Sequence, residues 1–302
     1  MTPARAVALA AALLTAATSS MPMGRSGVAP TAEAEAAVRV TWHPPHPSVG
    51  SVAWLHVQGL VQGATLEGTV SGRSLTFFPY GDGQAALVGF DLDAQPGVAP
   101  WALAIVEPHG EGRVVRGRVT VQRRDFPVQR LTLPRTMVDL DPATERRAVQ
   151  EGEQLRMLYR MISPERLWHG PFSHPLGAHS VGTNFGSRRI INGQSRAPHG
   201  GADYPAPSGT PVVATNAGRV ALVAEYFFPG RLVALDHGLG LHTLYFHLER
   251  VSVVEGERVD RGQVLGTVGA TGRATGPHLH FGVQVGPARV DPASLFELIF
   301  SD

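Results

Sequence analysis

The 302-residue chain contains no cysteine. Disulfides, thiolate nucleophiles, thiolate metal sites and a lipid-modified N-terminal cysteine are therefore excluded. Lysine is also missing, so all 26 basic side chains are arginines. Neither a phosphate-binding P-loop lysine nor Schiff-base chemistry is available. No charge of one sign dominates. The formal net charge is +1, and bulk electrostatics give no reason to expect a nucleic-acid partner. Apolar runs are short, and none reaches the ~20 residues that a membrane-spanning helix needs. Hydrophobic residues still make up 43% of the chain, enough for substantial cores, and the length suits two domains.

The N-terminus reads "MTPARAVALAAALLTAATSS". One basic residue, Arg5, precedes an apolar run from Ala6 to Ala17, with small residues after it. That order predicts a secretory signal peptide over residues 1–20. Its competitor is a buried Ala-rich helix. Small, polar and Pro/Gly-containing residues then predict a flexible linker over 21–37. The expected destination is outside the cytoplasm, in the periplasm or cell envelope, with no transmembrane segment beyond the signal peptide.

From residue 38 to about 135, short apolar runs such as "VAWLHVQG", "AALVGFDLD" and "WALAIVE" alternate with turn residues. This spacing predicts an immunoglobulin-like β-sandwich. Residues 136–169 read as a helical connector. Asp141 is placed to cap, Pro142 suits the first turn, and Glu145 is taken as the capping-box partner. Val149, Leu155, Leu158, Tyr159 and Ile162 would form its apolar stripe. β texture returns with many glycines over 170–302. The expected fold is mainly β: a sandwich, a connecting helix and a C-terminal antiparallel domain. Gly218, Gly256, Gly262, Gly266, Gly269, Gly272 and Gly276 are expected at turns, where positive φ costs glycine little.

Six of the 13 histidines, His199, His237, His242, His247, His278 and His280, fall in this glycine-rich half, among turns and strand ends. In "GPHLHFGV", a strand beginning at His278 would place His278 and His280 on one face and Leu279 on the other, in a core. In "HGGADY", His199 and Asp203 are separated only by small residues, which would let both side chains converge. With His280 they make a set of three N/O ligands, the number that leaves a metal one open position for chemistry. In "HTLYFHL", alternation groups Thr243, Tyr245 and His247 on one face, with Leu244, Phe246 and Leu248 on the other. No "HExxH" occurs, so a helix-borne glutamate base is missing. His247 and His278 are the candidate proton acceptors. His237 reads as structural, and alternation turns His242 away from the site.

The stretches "PHGGADYPAPSGTPVVATNAGRV", "LDHGLGLHTLYFHL" and "VGATGRATGPHLHFGV" closely resemble the lysostaphin/LytM-type zinc metallopeptidases, over about Gly170 to Leu295. Upstream, "FPVQRLTLP" and "SPERLW" resemble members that carry an N-terminal immunoglobulin-like domain. The resemblance implies a zinc endopeptidase that hydrolyses the peptide cross-links of bacterial peptidoglycan, whose peptide stems would be the substrate. It implies one Zn2+ held by His199, Asp203 and His280, with His247 and His278 catalytic. It also implies a two-layer antiparallel core with a groove over the metal. Gly282 departs from the pattern, standing where many relatives have an acidic residue. Arg189 and Asn192, in "SRRIINGQ", are candidate substrate contacts, and an envelope regulator is a candidate partner. Two rival readings are a catalytically silent adaptor that activates another wall hydrolase, and a module that only binds wall.

Overall fold

The computed structural model describes residues 37–132, 134, 135, 138–177 and 181–300. The signal-peptide and linker expectations fall on residues 1–36, outside the described residues. Among those described, no helix is long and apolar enough to cross a membrane.

Eight strands open the fold: β1 (Arg39–His43), β2 (Val52–Gln58), β3 (Thr65–Val70), β4 (Arg73–Ser74), β5 (Phe77–Tyr80), β6 (Gly83–Gly89), β7 (Gly97–Val106) and β8 (Gly112–Val121). They form two antiparallel sheets, ordered β1-β2-β6-β5 and β4-β3-β7-β8. Leu55, Val57, Ala86 and Val88 of the first sheet pack on Val70, Leu103, Val119 and Val121 of the second. In β8 the alternation is visible directly: Val119 and Val121 are buried, while Arg116 and Arg118 face water.

The first sheet is covered on both sides. Its other face carries Val52, Trp54, Ala85 and Leu87, which join the core of the C-terminal half. This explains why "VAWLHV" is buried at every position, as expected for a strand between two apolar layers. Trp54, Phe78 and Tyr80 meet Phe300, and Phe78 and Phe300 both meet Trp168, with ring centroids 4.8–6.2 Å apart in these contacts and that of Trp54 with Tyr80. The Arg166 guanidinium lies over Phe78, Trp168 and Phe300. The two halves of the chain thus share one apolar core.

After β9 (Val128–Leu131) comes α1 (Pro142–Arg160). Asp141 caps it by accepting from the Ala143 and Thr144 amides, and Pro142 follows at the start. The capping-box expectation for Glu145 needs correction. Thr144 occupies the third helical position, and its hydroxyl donates to Asp141. Glu145 lies one residue too far along. The apolar stripe is also narrower than expected. Leu158 packs on Ala234 and Leu244, whereas Val149 and Ile162 are exposed.

The remaining elements are β10 (Arg188–Ile191), β11 (Gln194–Ser195), β12 (Ala202–Pro205), β13 (Pro211–Val213), β14 (Gly218–Tyr226), β15 (Gly230–Asp236), β16 (Leu241–Val251), β17 (Arg258–Val259), β18 (Val264–Val268), β19 (His278–Val285), β20 (Ala288–Val290) and α2 (Pro292–Phe296). A nine-stranded antiparallel sheet runs β12-β19-β16-β15-β14-β17, with β13, β18 and β20 attached at its sides. A small third sheet is ordered β11-β10-β9, in which β9 runs parallel to β10. Only part of the glycine expectation holds. Gly272 has φ +72°, and a Cβ there would lie 2.3 Å from the Gly230 nitrogen. Gly256 and Gly262 also have positive φ; Gly218, Gly266, Gly269 and Gly276 do not. At Gly266 the requirement is close approach, because a Cβ would meet the Arg250 carbonyl oxygen at 2.1 Å.

Candidate metal centre

The antiparallel pairing of β12 with β19 sets Asp203 directly opposite His280. His199 enters from the segment before β12, its amide donating to the Ser187 carbonyl. The His199 ring donates through Nδ1 to the Asn184 carbonyl, 2.9 Å away. A carbonyl can only accept, so the proton sits on Nδ1 and the Nε2 lone pair is left for the site. That Nε2 lies 2.8 Å from His280 Nδ1 and 3.1 Å from Asp203 Oδ1. His280 Nδ1 and Asp203 Oδ1 are 3.0 Å apart. Among the described residues, His199, Asp203 and His280 are the one group of three or more His, Cys, Asp or Glu whose ligand atoms gather in this way.

The triangle fits a metal ion. Two imidazoles and a carboxylate are an ordinary zinc donor set. Tetrahedral zinc at ~2.0–2.1 Å from its ligands would separate them by ~3.3 Å, only slightly wider than the triangle described. Burial raises the Asp203 carboxyl, but the His199 and His280 rings beside it override this and hold it well below the usual carboxylate range. Burial, helped by His199, pushes His280 down to about 4 against the opposing pull of Asp203. Ionised carboxylate and neutral imidazole are the states that ligate.

Two neighbours fix the His280 ring. Phe246 stacks on it at 5.2 Å with an interplanar angle of 11°. On its other edge, a Cβ at Gly201 would lie 2.6 Å from His280 Nε2 and 2.6 Å from the Phe281 carbonyl oxygen. Gly201 therefore makes room for the ring, a more specific role than the bendable spacer expected from "HGGAD". Gly201→Ala should shift His280 and weaken metal binding about 10- to 100-fold, the range typical of supporting residues. Competition with a chelating dye would read this directly.

Leu279 is buried, and His278 and His280 share the opposite face, as alternation along β19 predicts. His247 reaches the same site by a different route. Tyr245 and Leu248 both lie in the main core, while Leu244 and Phe246 face α1. Strict alternation would have put His247 in the core beside Tyr245, away from His280. A β-bulge prevents this. Along β15 the register passes from Arg231 opposite Leu248 to Val233 opposite Tyr245, so Phe246 and His247 together face Leu232. His247 has φ +63°, a left-handed conformation uncommon for a residue with a Cβ. Bulges of this kind re-aim side chains beside functional sites. The grouping of Leu248 with Leu244 and Phe246 is corrected for the same reason.

The His247 ring lies 4.8 Å from that of His278 and 6.1 Å from that of His280. His247 Nδ1 donates to the Thr271 carbonyl at 2.8 Å, and Thr271 is itself pinned by its hydroxyl to Leu248 and Arg231. His278 Nδ1 donates to the Gly276 carbonyl at 2.8 Å, and its Nε2 lies 3.7 Å from Asp203 Oδ1. Both rings thus keep Nε2 unprotonated when neutral. Burial, then the charges of His280 and His278, push His247 down to about 3.

These side chains line a cavity of about 350 Å³. Arg189 is one of its walls, with Nη2 3.7 Å from Asp203 Oδ2. Asn192 is not: it lies past the end of β10, beside Arg130 in a separate hollow. Residues not anticipated from sequence also line the cavity, notably Gln129, Leu131 and Arg273. A larger hollow of about 600 Å³ between β1, β2 and α2 shares no lining residue with it. His237 is fully buried, bonded to the Ala217 carbonyl and the Thr243 hydroxyl, a structural role. His242 needs a correction. It lies on the same side of β16 as Phe246, near Tyr159, but at the far end of the strand, opposite Gln284.

A His/Asp/His group able to hold a metal ion, with two further imidazoles beside it on an antiparallel sheet, suits a metallopeptidase. The chain belongs to peptidase family M23, whose model matches residues 197–292. The crystal structure of a protein assigned to peptidase M23 from Pseudomonas aeruginosa is 31% identical, covering 83% of this chain and 95% of that one, with a TM-score of 0.59. That likeness reaches well upstream of the catalytic segment. Among curated relatives, peptidoglycan DD-endopeptidase ShyC of Vibrio cholerae is 42% identical over 123 residues, 40% of this chain and 28% of that protein. ShyA of the same organism is 41% identical over 133 residues, 44% of this chain and again 28% of the relative. The matches therefore span less than a third of these relatives' length.

Proposed function

We propose that this protein is a zinc-dependent endopeptidase that hydrolyses peptide cross-links of bacterial peptidoglycan. The observation that carries this reading is the convergence of His199 Nε2, Asp203 Oδ1 and His280 Nδ1 to within 2.8–3.1 Å, with His247 and His278 beside them. The three residues would hold one Zn2+. When bound, the ion supplies Lewis acidity that makes water a competent nucleophile near neutral pH. The chain's own residues do the rest. His199 and His280 are oriented by Asn184, Phe246 and Gly201. His247 and His278, each with Nδ1–H held by a carbonyl, present Nε2 to accept a proton during attack on the amide. The protonated ring can then donate to the oxygen gaining charge, or to the departing amine.

Peptidoglycan as the substrate is supported by the names of the Vibrio cholerae relatives and by identities above 40% across the catalytic segment. A periplasmic or envelope location follows from that substrate and from the N-terminal pattern. The sandwich is read as an immunoglobulin-like domain over 38–135, joined by the 136–169 connector to a peptidase domain over 170–302, with an envelope regulator as a candidate partner. A silent adaptor would need neither an intact ligand triangle nor flanking bases, so this set favours the hydrolase. The test is digestion of purified peptidoglycan by zinc-loaded protein, with muropeptides read by mass spectrometry. Conversion of cross-linked muropeptides into uncross-linked monomers, abolished by chelator and restored by zinc, is expected. An unchanged muropeptide profile would defeat the reading.

A further inference from the structure

Among the described residues, the metal cavity is lined by two arginines, Arg189 and Arg273, and by a single carboxylate, Asp203. They arrive from separate parts of the fold. Arg189 lies on β10, and Arg273 on the loop between β18 and β19. Both guanidiniums are partly buried, and burial lowers both, with Arg189 and Arg196 adding repulsion on Arg273. Asp203 is already engaged by His199 and His280, and faces Arg189 only at 3.7 Å. A bound divalent ion would add further positive charge. Among the described residues lining the cavity, arginines thus outnumber carboxylates two to one, in a chain whose net charge is only +1, and field focusing in a partly enclosed cleft favours an anion there.

Arg273 is also held in a fixed plane. Its guanidinium carbon lies 4.0 Å over the Phe228 ring, and its amide donates to the Phe228 carbonyl at 3.0 Å. Stacking engages the flat faces of a guanidinium, while its N–H groups radiate in the plane, matched to a carboxylate fork. On the β10 side, Gln129 and Leu131 of β9 stand in parallel register with Arg189 and Ile191, and all four line the cavity. The Gln129 side-chain oxygen is buried without a hydrogen-bond partner among the described residues, an acceptor left for a peptide N–H.

We propose that Arg189 and Arg273 read a free carboxylate on the substrate, so that the preferred peptide carries an ionised carboxyl group within a residue or two of the scissile amide. Gln129 holds the backbone of the same peptide. This deepens the endopeptidase reading and rests on it.

The experiment uses two synthetic cross-linked peptides, alike except that the carboxyl nearest the scissile bond is free in one and amidated in the other. With zinc-loaded, full-chain protein, kcat/KM should favour the free carboxylate by about tenfold or more, as expected for a charge-assisted bidentate contact. Arg273→Gln should collapse that preference to about twofold or less, and Arg273→Lys, which keeps the charge and loses the fork, should fall between. Arg189→Gln is predicted to act likewise. Because Arg189 faces Asp203, the Arg273 variants decide where Arg189→Gln loses zinc. Equal rates for the two peptides with wild-type protein, or a preference that survives Arg273→Gln, overturn the proposal. Failure to cleave either peptide counts against the hydrolase reading instead. Calorimetric binding of the same pair then decides this one: tighter binding of the free carboxylate, lost in Arg273→Gln, sustains it, and equal binding refutes it.

Discussion

Protein carrying His280→Ala should retain no zinc after dialysis, where wild type should hold about one equivalent, and its hydrolytic rate should fall by at least about a thousandfold. The reasoning begins at the β12–β19 pairing, which sets His280 opposite Asp203. Removing the imidazole leaves His199 and Asp203 as a two-donor site, too few for a catalytic zinc centre. It also removes a ring that helps to hold Asp203 ionised. Lewis-acid assistance is worth several kcal/mol of barrier, and each 1.36 kcal/mol is about a factor of ten. Elemental analysis together with peptidoglycan turnover makes the test. Stoichiometric zinc in the variant would mean that the ion lies elsewhere.

His247→Ala should divide the two functions. Zinc content should stay near that of wild type, because the His247 ring stands beyond the ligand triangle, 6.1 Å from that of His280. Turnover should drop roughly 10²- to 10⁴-fold, the usual contribution of a positioned general base. A pH consequence accompanies this. Since His247 is pushed down to about 3, its neutral, proton-accepting form persists through the mildly acidic range. Protonation of this ring should therefore not remove activity near 6.5, where a solvent-exposed imidazole titrates. The sign is that of a lowered pKa: the base form is present above the folded value and lost only as pH falls through it. A His247→Ala protein that digests wall at the wild-type rate would remove this residue from the mechanism.

Much of this site could be read from the text of the chain. Alternation places Leu279 in the core and His278 with His280 on one face, because β19 is regular there. The same rule selects the right neighbour in His247 for a reason the fold reverses. Thr243 and Tyr245 lie on the core side of β16, and only the bulge at Phe246–His247 turns the imidazole back toward His280. No glycine or proline marks that bulge. It arises from how β15 and β16 must match, a non-local property. The β9 wall was hidden for a related reason. Gln129 meets Arg189 through a parallel pairing between segments separated by the whole of α1, and no short-range pattern announces such a contact. Asn192, by contrast, is near His199 in sequence but lies past the end of β10, exposed and outside the metal cavity. The capping-box expectation at Glu145 misses by one residue of helix phase, Thr144 standing at the third helical position.

The double-sided sheet β1-β2-β6-β5 has an implication for modularity. A catalytic fragment cut away at about residue 165 would take Trp168 and Phe300 with it and leave Trp54, Phe78 and Tyr80 behind, stripping an aromatic seam from both pieces. Losing such burial costs several kcal/mol for each large ring, a sizeable share of what keeps a domain folded. The peptidase half is therefore not an interchangeable cartridge. Chimeras that swap in a foreign N-terminal half should succeed only when the donor brings side chains that refill the seam.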